Sequence, residues 1–335
     1  MKKIVIDVCG SDYGPEVLLR GVKESLDIIE DYGLVLVGDE GVIKDVLGAD
    51  VITERAIEIL HSTDVITNHD APTAVFKGRE QASMVMALDK LKSDPDCAGM
   101  LSAGNTGALM VGSIFRLGLA KGLRQPALAS DLPCWCDKHM ALVDCGAGVD
   151  CKPDDLAGFA LMGDAYIRAM YGISSPKIGL LSVGREKGKG NTLTKDAFAL
   201  LENLPIDFIG NIEGSDIFSG EADVVVCDGF AGNVVLKNTE AAGHYAMSLL
   251  DVDGVSVETK EVLAKIKRQL FATFAYNAQG GAIFLGTRKT IIKMHGCATE
   301  NTVKSCIGQM IRLENNNFAA STVKAIEGWK AAKND

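Results

Sequence analysis

The chain is poor in proline, with 8 in 335 residues, and holds only 2 tryptophans and 6 tyrosines. A proline-rich spacer is excluded, and no run approaches the roughly 18 apolar residues that a membrane-crossing helix needs. An excess of cations is also lacking. Lys plus Arg total 34 against 44 Asp plus Glu, a net charge of −10. That balance argues against a general nucleic-acid binder, and no nucleic-acid partner is expected. The lysines after Met1 are followed by Asp7 and Asp12, so the start does not read as a signal peptide. Nine cysteines, an odd number without regular spacing, fit reduced thiols better than a disulfide framework. Internal repeats, low-complexity tracts and linkers are not seen. The expectation is a soluble, cytoplasmic protein.

What is plentiful is glycine, at 36 residues, on a background that is 47% hydrophobic. At roughly 150 residues per domain the length suits two domains or one large α/β unit, and residues 1–335 read as a single large α/β domain. Short β-branched runs alternate with helical patterns. The strand-like runs are Lys3–Val8, Leu34–Val37, Asp50–Ile52, Cys97–Ser102, Ala141–Asp144, Lys177–Val183, Ile206–Gly210, Asp223–Asp228 and Thr290–Ile292. Helices are expected from Gly14-Pro15 to about Glu30, over Gly41–Leu47 and over Gln81–Leu91. Such strands, apolar on both faces and separated by helices, predict a mainly parallel sheet covered on both sides. Ligands of such sheets sit outside the carboxyl ends of the strands.

Residues just after the strands are therefore the candidates. Asp7, Gly10 and Asp12 follow the first. Ser102-Ala-Gly104-Asn105-Thr106-Gly107 joins a strand to a helix. Its glycines let backbone approach a ligand, and N–H groups at a helix start favour an anion. Neither a Walker A pattern nor Gly-x-Gly-x-x-Gly is present, so an ordinary strand–helix turn is the competing reading. Gly184-Arg-Glu-Lys-Gly-Lys189-Gly-Asn191 places three cations between glycines and suggests a second anion site; a solvated charged loop is the plainer alternative. Asp228, Gly229 and Asn233 close another strand, with a helix cap at Asn233 as the alternative. His295 is a candidate acid or oxyanion donor, although a lone histidine is more often structural. Cys134, Cys136, His139, Cys145 and Cys151 lie close together but lack zinc spacing, so no metal is expected. Over Glu258–Tyr276, Val262, Leu263, Ile266, Leu270 and Phe274 share helical spacing, with Lys260, Lys265, Lys267 and Arg268 mostly off that stripe. A basic amphipathic helix near 255–276 can meet an acidic partner or a membrane surface, or simply pack on a core.

Together these motifs resemble the PlsX-type phosphate acyltransferases. The resemblance rests on Asp7-Val-Cys-Gly-Ser-Asp-Tyr-Gly-Pro15, Leu36-Val-Gly-Asp39, Ser102-Ala-Gly-Asn-Thr-Gly-Ala-Leu-Met110, Val149-Asp-Cys-Lys-Pro153, Gly188-Lys-Gly-Asn191, Gly210-Asn-Ile-Glu-Gly214, Ala222 through Asn233 and Ile292-Lys-Met-His-Gly296. These span almost the whole chain. Departures from the family pattern are Cys9 and Ser11 in the first motif, Arg185 and Lys187 before Gly188, Lys77 and Arg79 within Asp70–Met84, and Ile283-Phe284 within Ala278–Arg288. The resemblance implies a three-layer α/β/α fold like those of phosphate acetyltransferases and isopropylmalate dehydrogenases. It implies transfer of a fatty acyl group from acyl-carrier protein to inorganic phosphate, without a cofactor. It also implies a homodimer associated peripherally with the inner face of the membrane, with a glycerol-3-phosphate acyltransferase as a further candidate partner. On this reading Lys189, Asn191 and His295 are catalytic, and Lys265, Lys267, Arg268, Arg288 and Lys289 dock the carrier protein or the membrane. A phosphate acetyl- or butyryltransferase using coenzyme A, a decarboxylating dehydrogenase and a non-enzymatic membrane scaffold are the rival readings.

Overall fold

The computed structural model describes residues 1–29, 31–76, 78–135, 138–254, 256–274 and 280–334. Glu30, Lys77, Cys136 and residues 275–279 of the expectations above lie outside that set, as does Val255. The chain divides into two compact units, Met1–Pro126 with Arg168–Ile173 and Gly280–Asp335, and Ala127–Ile167 with Ser174–Gln279. This is a finer division than the single unit read from the sequence.

The first unit contains β1 (Lys3–Asp7), α1 (Pro15–Lys23), β2 (Gly33–Gly38), α2 (Glu40–Leu47), α3 (Ala49–Glu54), β3 (Glu58–His61), α4 (Ser83–Ser93), β4 (Cys97–Ser102) and α5 (Thr106–Leu117). The second holds β5 (Ala127–Pro133), β6 (His139–Val143), α6 (Pro153–Tyr171, through Ile167), β7 (Lys177–Leu181), α7 (Thr192–Leu201), β8 (Asp207–Ile212), β9 (Val224–Val226), α8 (Gly229–Ser248) and α9 (Val257–Phe274). β10 (Ala282–Leu285), β11 (Thr290–Lys293), α10 (Glu300–Asn315) and α11 (Phe318–Asn334) return to the first unit.

In the first unit the strands run β3-β2-β1-β4-β11-β10. All pairs are parallel except β10 with β11. Every residue of β2 and β4 is buried, as a strand covered on both faces requires. In the second unit the order is β5-β6-β9-β7-β8, parallel except for β5 with β6. The mainly parallel α/β reading holds, with two antiparallel pairs that apolar runs alone do not distinguish.

Two element readings need correction. Asp50–Ile52 is not a strand but part of α3, none of whose residues is buried. Its β-branched residues face no partner sheet, so their strand preference has nothing to act on. Helix α1 stops at Lys23, well before Glu30. There the buried Ser25 hydroxyl donates to the Gly21 carbonyl at 2.6 Å, offering that carbonyl a local alternative to the helical ladder. Among the described residues no helix is long and apolar enough to cross a membrane.

Candidate functional site

In the first unit, neighbouring parallel strands β1, β4 and β11 end side by side, so their trailing loops gather at one rim. Asp7, the last residue of β1, is buried. Ser102, which pairs with it in register, donates its hydroxyl to Asp7 Oδ2 at 2.8 Å, and the Cys9 N–H donates to Oδ1 at 3.1 Å. Gly104 N–H returns to Ser102 Oγ at 3.1 Å. Burial pushes the Asp7 carboxyl up to about 6, against the opposing effect of Ser102, Ser83, Cys9 and the Lys293 charge.

Gly10 sits at φ +80°, and a Cβ there would lie 2.7 Å from Gly104 Cα. Only glycine lets the two loops close to this distance. Asp12 N–H donates to the Gly296 carbonyl at 2.8 Å, and Ser11 Oγ to the same oxygen at 3.2 Å. The first and third loops are thereby tied together. Lys293, at the end of β11, completes the rim. Its Nζ donates to the Ala103 carbonyl at 3.1 Å and to the Met294 carbonyl. Burial pulls this amine down to about 8, opposed by the charges of Asp12, Cys306, Asp7 and Cys297. Lys293 lies within the Ile292-Lys-Met-His-Gly296 motif, where the sequence by itself assigns it no role. A lysine as the last residue of an apolar strand was the available signal, because such a cation is buried at the ligand end.

Within the Ser102–Gly107 loop the tasks divide. Asn105 caps α5: its Oδ1 accepts from Ala108 N–H at 2.9 Å, and its amide donates to the Thr67 and Asp70 carbonyls at 3.0 and 3.1 Å. Its side chain therefore builds the loop, while the first N–H groups of α5, from Thr106 and Gly107, lack helical acceptors. Thr106 is exposed and Gly107 half-buried. His295 lies two residues beyond Lys293, with Nδ1 3.0 Å from Cys297 Sγ.

The second unit presents its own strand-end loops. Buried Asp144 follows β6 and accepts four backbone N–H bonds, from Leu128 (2.8 Å), Gly146 (3.1 Å), Ala147 (3.0 Å) and Gly148 (2.6 Å). Burial raises its carboxyl, and those four donors oppose the rise. A Cβ at Gly229 would lie 2.6 Å from Asp144 Oδ2, and one at Gly232 only 1.8 Å from the Asp144 carbonyl oxygen. These glycines of the Asp228–Asn233 motif thus serve close packing. Asp228, not Asn233, caps α8, accepting from Ala231 N–H at 2.8 Å. Asn233 is exposed within the first turns of α8, near Gly146.

The cationic loop after β7 separates its three charges. Arg185 pairs with Asp216 and Glu221, each at 2.8 Å, and Lys187 with Glu202 at 2.6 Å. Lys189 is exposed, and no ion pair to it is found among the described residues. Asn191 caps α7 through Thr194 N–H at 2.9 Å. Buried Asn211 braces the loop by donating to the Glu186 carbonyl at 2.9 Å.

The basic residues expected to dock a partner fare differently. Lys265 and Arg268 are exposed on α9, whereas Lys267 pairs with Asp251. Arg288 pairs with Glu327 at 3.7 Å, and half-buried Lys289 donates to the Cys97 carbonyl at 2.6 Å. Cys97 begins β4, and Arg288 and Lys289 precede parallel β11. Both therefore stand at the edge of the sheet opposite the Ser102 rim. The apolar stripe of α9 does not pack as a core face either: Val262 and Ile266 are exposed, while Leu263 and Leu270 are half-buried.

A family model described as "Fatty acid synthesis protein" matches residues 2–321. A phosphate acyltransferase of Caldanaerobacter subterraneus subsp. tengcongensis is 38% identical over 330 residues, 97% of each chain. Another, of Halalkalibacterium halodurans, is 37% identical over 335 residues, covering 99% of this chain and 98% of the relative. Among solved structures, a phosphotransacetylase from Streptococcus pyogenes superposes with a TM-score of 0.62 at 14% identity, over 97% of this chain and 94% of that one. The EutD phosphotransacetylase from Staphylococcus aureus gives 0.60 at 14% identity over 94% of each. At that identity the likeness is one of fold.

Proposed function

Because the chain belongs to the PlsX family of phosphate acyltransferases, we propose that it moves a fatty acyl group from acyl-acyl-carrier protein to inorganic phosphate, forming acyl phosphate for phospholipid synthesis. The observation that carries the phosphate half of this reading is the rim of the first unit. There a glycine-rich loop opens α5, the first N–H groups of that helix lack helical acceptors, and the Lys293 cation anchors the loop from behind.

The chemistry asks little covalent help from the protein. A thioester is already activated, so a phosphate oxygen can attack its carbonyl carbon directly once both are held in line. The developing oxyanion needs a donor, and His295, in the same unit as this rim, is the proposed one; in the second unit Asn191 and Asn233 stay candidates from their motifs. Lys189 is the proposed proton donor to the departing pantetheine thiolate. Support for its role is the contrast with Arg185 and Lys187, whose charges are matched by carboxylates. No cofactor enters this scheme.

The finer expectations remain proposals. A homodimer is supported by α8, which exposes Phe230, Val234 and Tyr245 along its length and Leu249 just past its end. Membrane association, and onward use of the product by a glycerol-3-phosphate acyltransferase, draws on α9. That helix sets exposed Val257, Val262 and Ile266 beside Lys265 and Arg268. The same cations suit the acidic carrier protein, and binding through them weakens as salt rises.

The test is incubation with acyl-acyl-carrier protein, with and without phosphate, trapping acyl phosphate with hydroxylamine. Phosphate-dependent loss of thioester is the expected result. A coenzyme A thioester run in parallel separates the acetyl- and butyryltransferase alternative, and consumption of that donor alone overturns the reading.

A further inference from the structure

We propose that Cys297 is a reversible thiol-modification site, forming a mixed disulfide with small-molecule disulfides and thereby shutting the rim that holds phosphate. Its effect on turnover rests on the function proposed above; its thiol chemistry does not. The Cys297 Sγ lies 3.0 Å from His295 Nδ1, a nucleophile–base pair held within one turn, which Ala298 N–H closes onto the His295 carbonyl at 3.1 Å. The Lys293 cation interacts with the same thiol. Helix α10 starts just beyond, capped by Thr299.

The other described cysteines differ. Cys9, Cys97, Cys145, Cys227 and Cys306 are buried, and burial pushes every one of these thiols upward, Cys9 and Cys97 to about 11 and Cys306 to about 12. Cys134 is also pushed up by burial. Cys151 gives its hydrogen to the Gly148 carbonyl at 3.2 Å. Cys297 combines partial exposure with a base at contact distance.

Its position explains the consequence. Gly296, the preceding residue, ties the first and third rim loops through its carbonyl, and a Cβ on it would already lie 2.6 Å from Asp12 Oδ2. Cys297 follows directly in the chain, so an adduct on it bears on this tightly packed junction.

The step balances as a thiol–disulfide exchange. Sγ attacks one sulfur of the small disulfide; the new S–S bond forms as the old one breaks. The thiol proton passes to His295 and on to the released thiolate. A dithiol reverses it.

The test treats the full chain with 5,5′-dithiobis(2-nitrobenzoic acid) at pH 7 and follows the released thionitrobenzoate. One thiol, mapped by peptide mass to Cys297, reacts ~10-fold or more faster than the rest, and His295→Asn slows it by a similar factor. One equivalent abolishes phosphate-dependent turnover, and dithiothreitol restores it. Cys297→Ser lacks the fast phase and stays active in the reagent. A fast phase that persists in Cys297→Ser, or a rate untouched by His295→Asn, overturns the site. Full turnover by the singly modified protein overturns the shutting of the rim. A wild type without any phosphate-dependent turnover sinks the assigned reaction instead, and the labelling rates still decide the thiol chemistry.

Discussion

Replacing Lys293 with methionine isolates what a buried cation does at the rim. Burial moves this amine from its ordinary 10.5 to about 8, which at 1.36 kcal/mol per pH unit corresponds to about 3 kcal/mol against holding the charge there. Methionine keeps the volume and removes that burden. It also strips the Ala103 and Met294 carbonyls of a donor, at about 1–3 kcal/mol for each buried group left unsatisfied. The effects largely offset, so Lys293→Met should unfold in urea within about 3 kcal/mol of wild type. Phosphate use should not survive so well. The loop loses its anchor and the rim loses the buried Lys293 cation, and removing such a donor typically costs ~10²-fold in rate. Steady-state kinetics with phosphate varied should show kcat/KM for phosphate down by about that factor. The wild-type rate should fall as pH rises through about 8, where Lys293 loses its proton, and Lys293→Met should lack that limb. A variant destabilised by more than ~4 kcal/mol with normal phosphate kinetics would refute the reasoning.

Three further outcomes follow from the same geometry. Lys189→Ala should cut turnover by ~10²-fold, whereas Lys187→Ala, whose charge already faces Glu202, should change it by less than about threefold; equal effects contradict the assigned division of charge. Gly232→Ala forces a methyl to 1.8 Å from the Asp144 carbonyl oxygen, so α8 must shift, and chemical denaturation should show a loss of roughly 3 kcal/mol or more. Asp7 reaches about 6 in the fold, above its unfolded value, so the native state keeps the proton longer. Stability from this group is greatest below pH 4 and declines as pH rises to 6, by roughly 3 kcal/mol at the limit. Asp7→Asn should therefore gain on wild type between pH 4.5 and pH 7 in urea melts, and a constant difference across that range would show that Asp7 ionises freely.

Periodicity and punctuation alone determined the class of this protein. Apolar runs such as Cys97–Ser102, bounded by glycine and polar residues, suit strands buried on both faces, and the rim residues follow because parallel strands all end on one side. The motifs also carried the family, since chemistry at strand ends leaves local signatures. Tertiary structure alone decided the division into two units, the helix at Asp50–Ile52, and which polar groups are engaged. Asn105, Asn191 and Asp228 look alike as candidate ligands in sequence, yet each caps a helix. Arg185, Lys187 and Lys189 look alike as cations, yet carboxylates 15 to 36 positions away match the first two. Lys293 gains its meaning only when a strand distant in the chain brings it against Ala103, because burial and pairing are properties of neighbours in space.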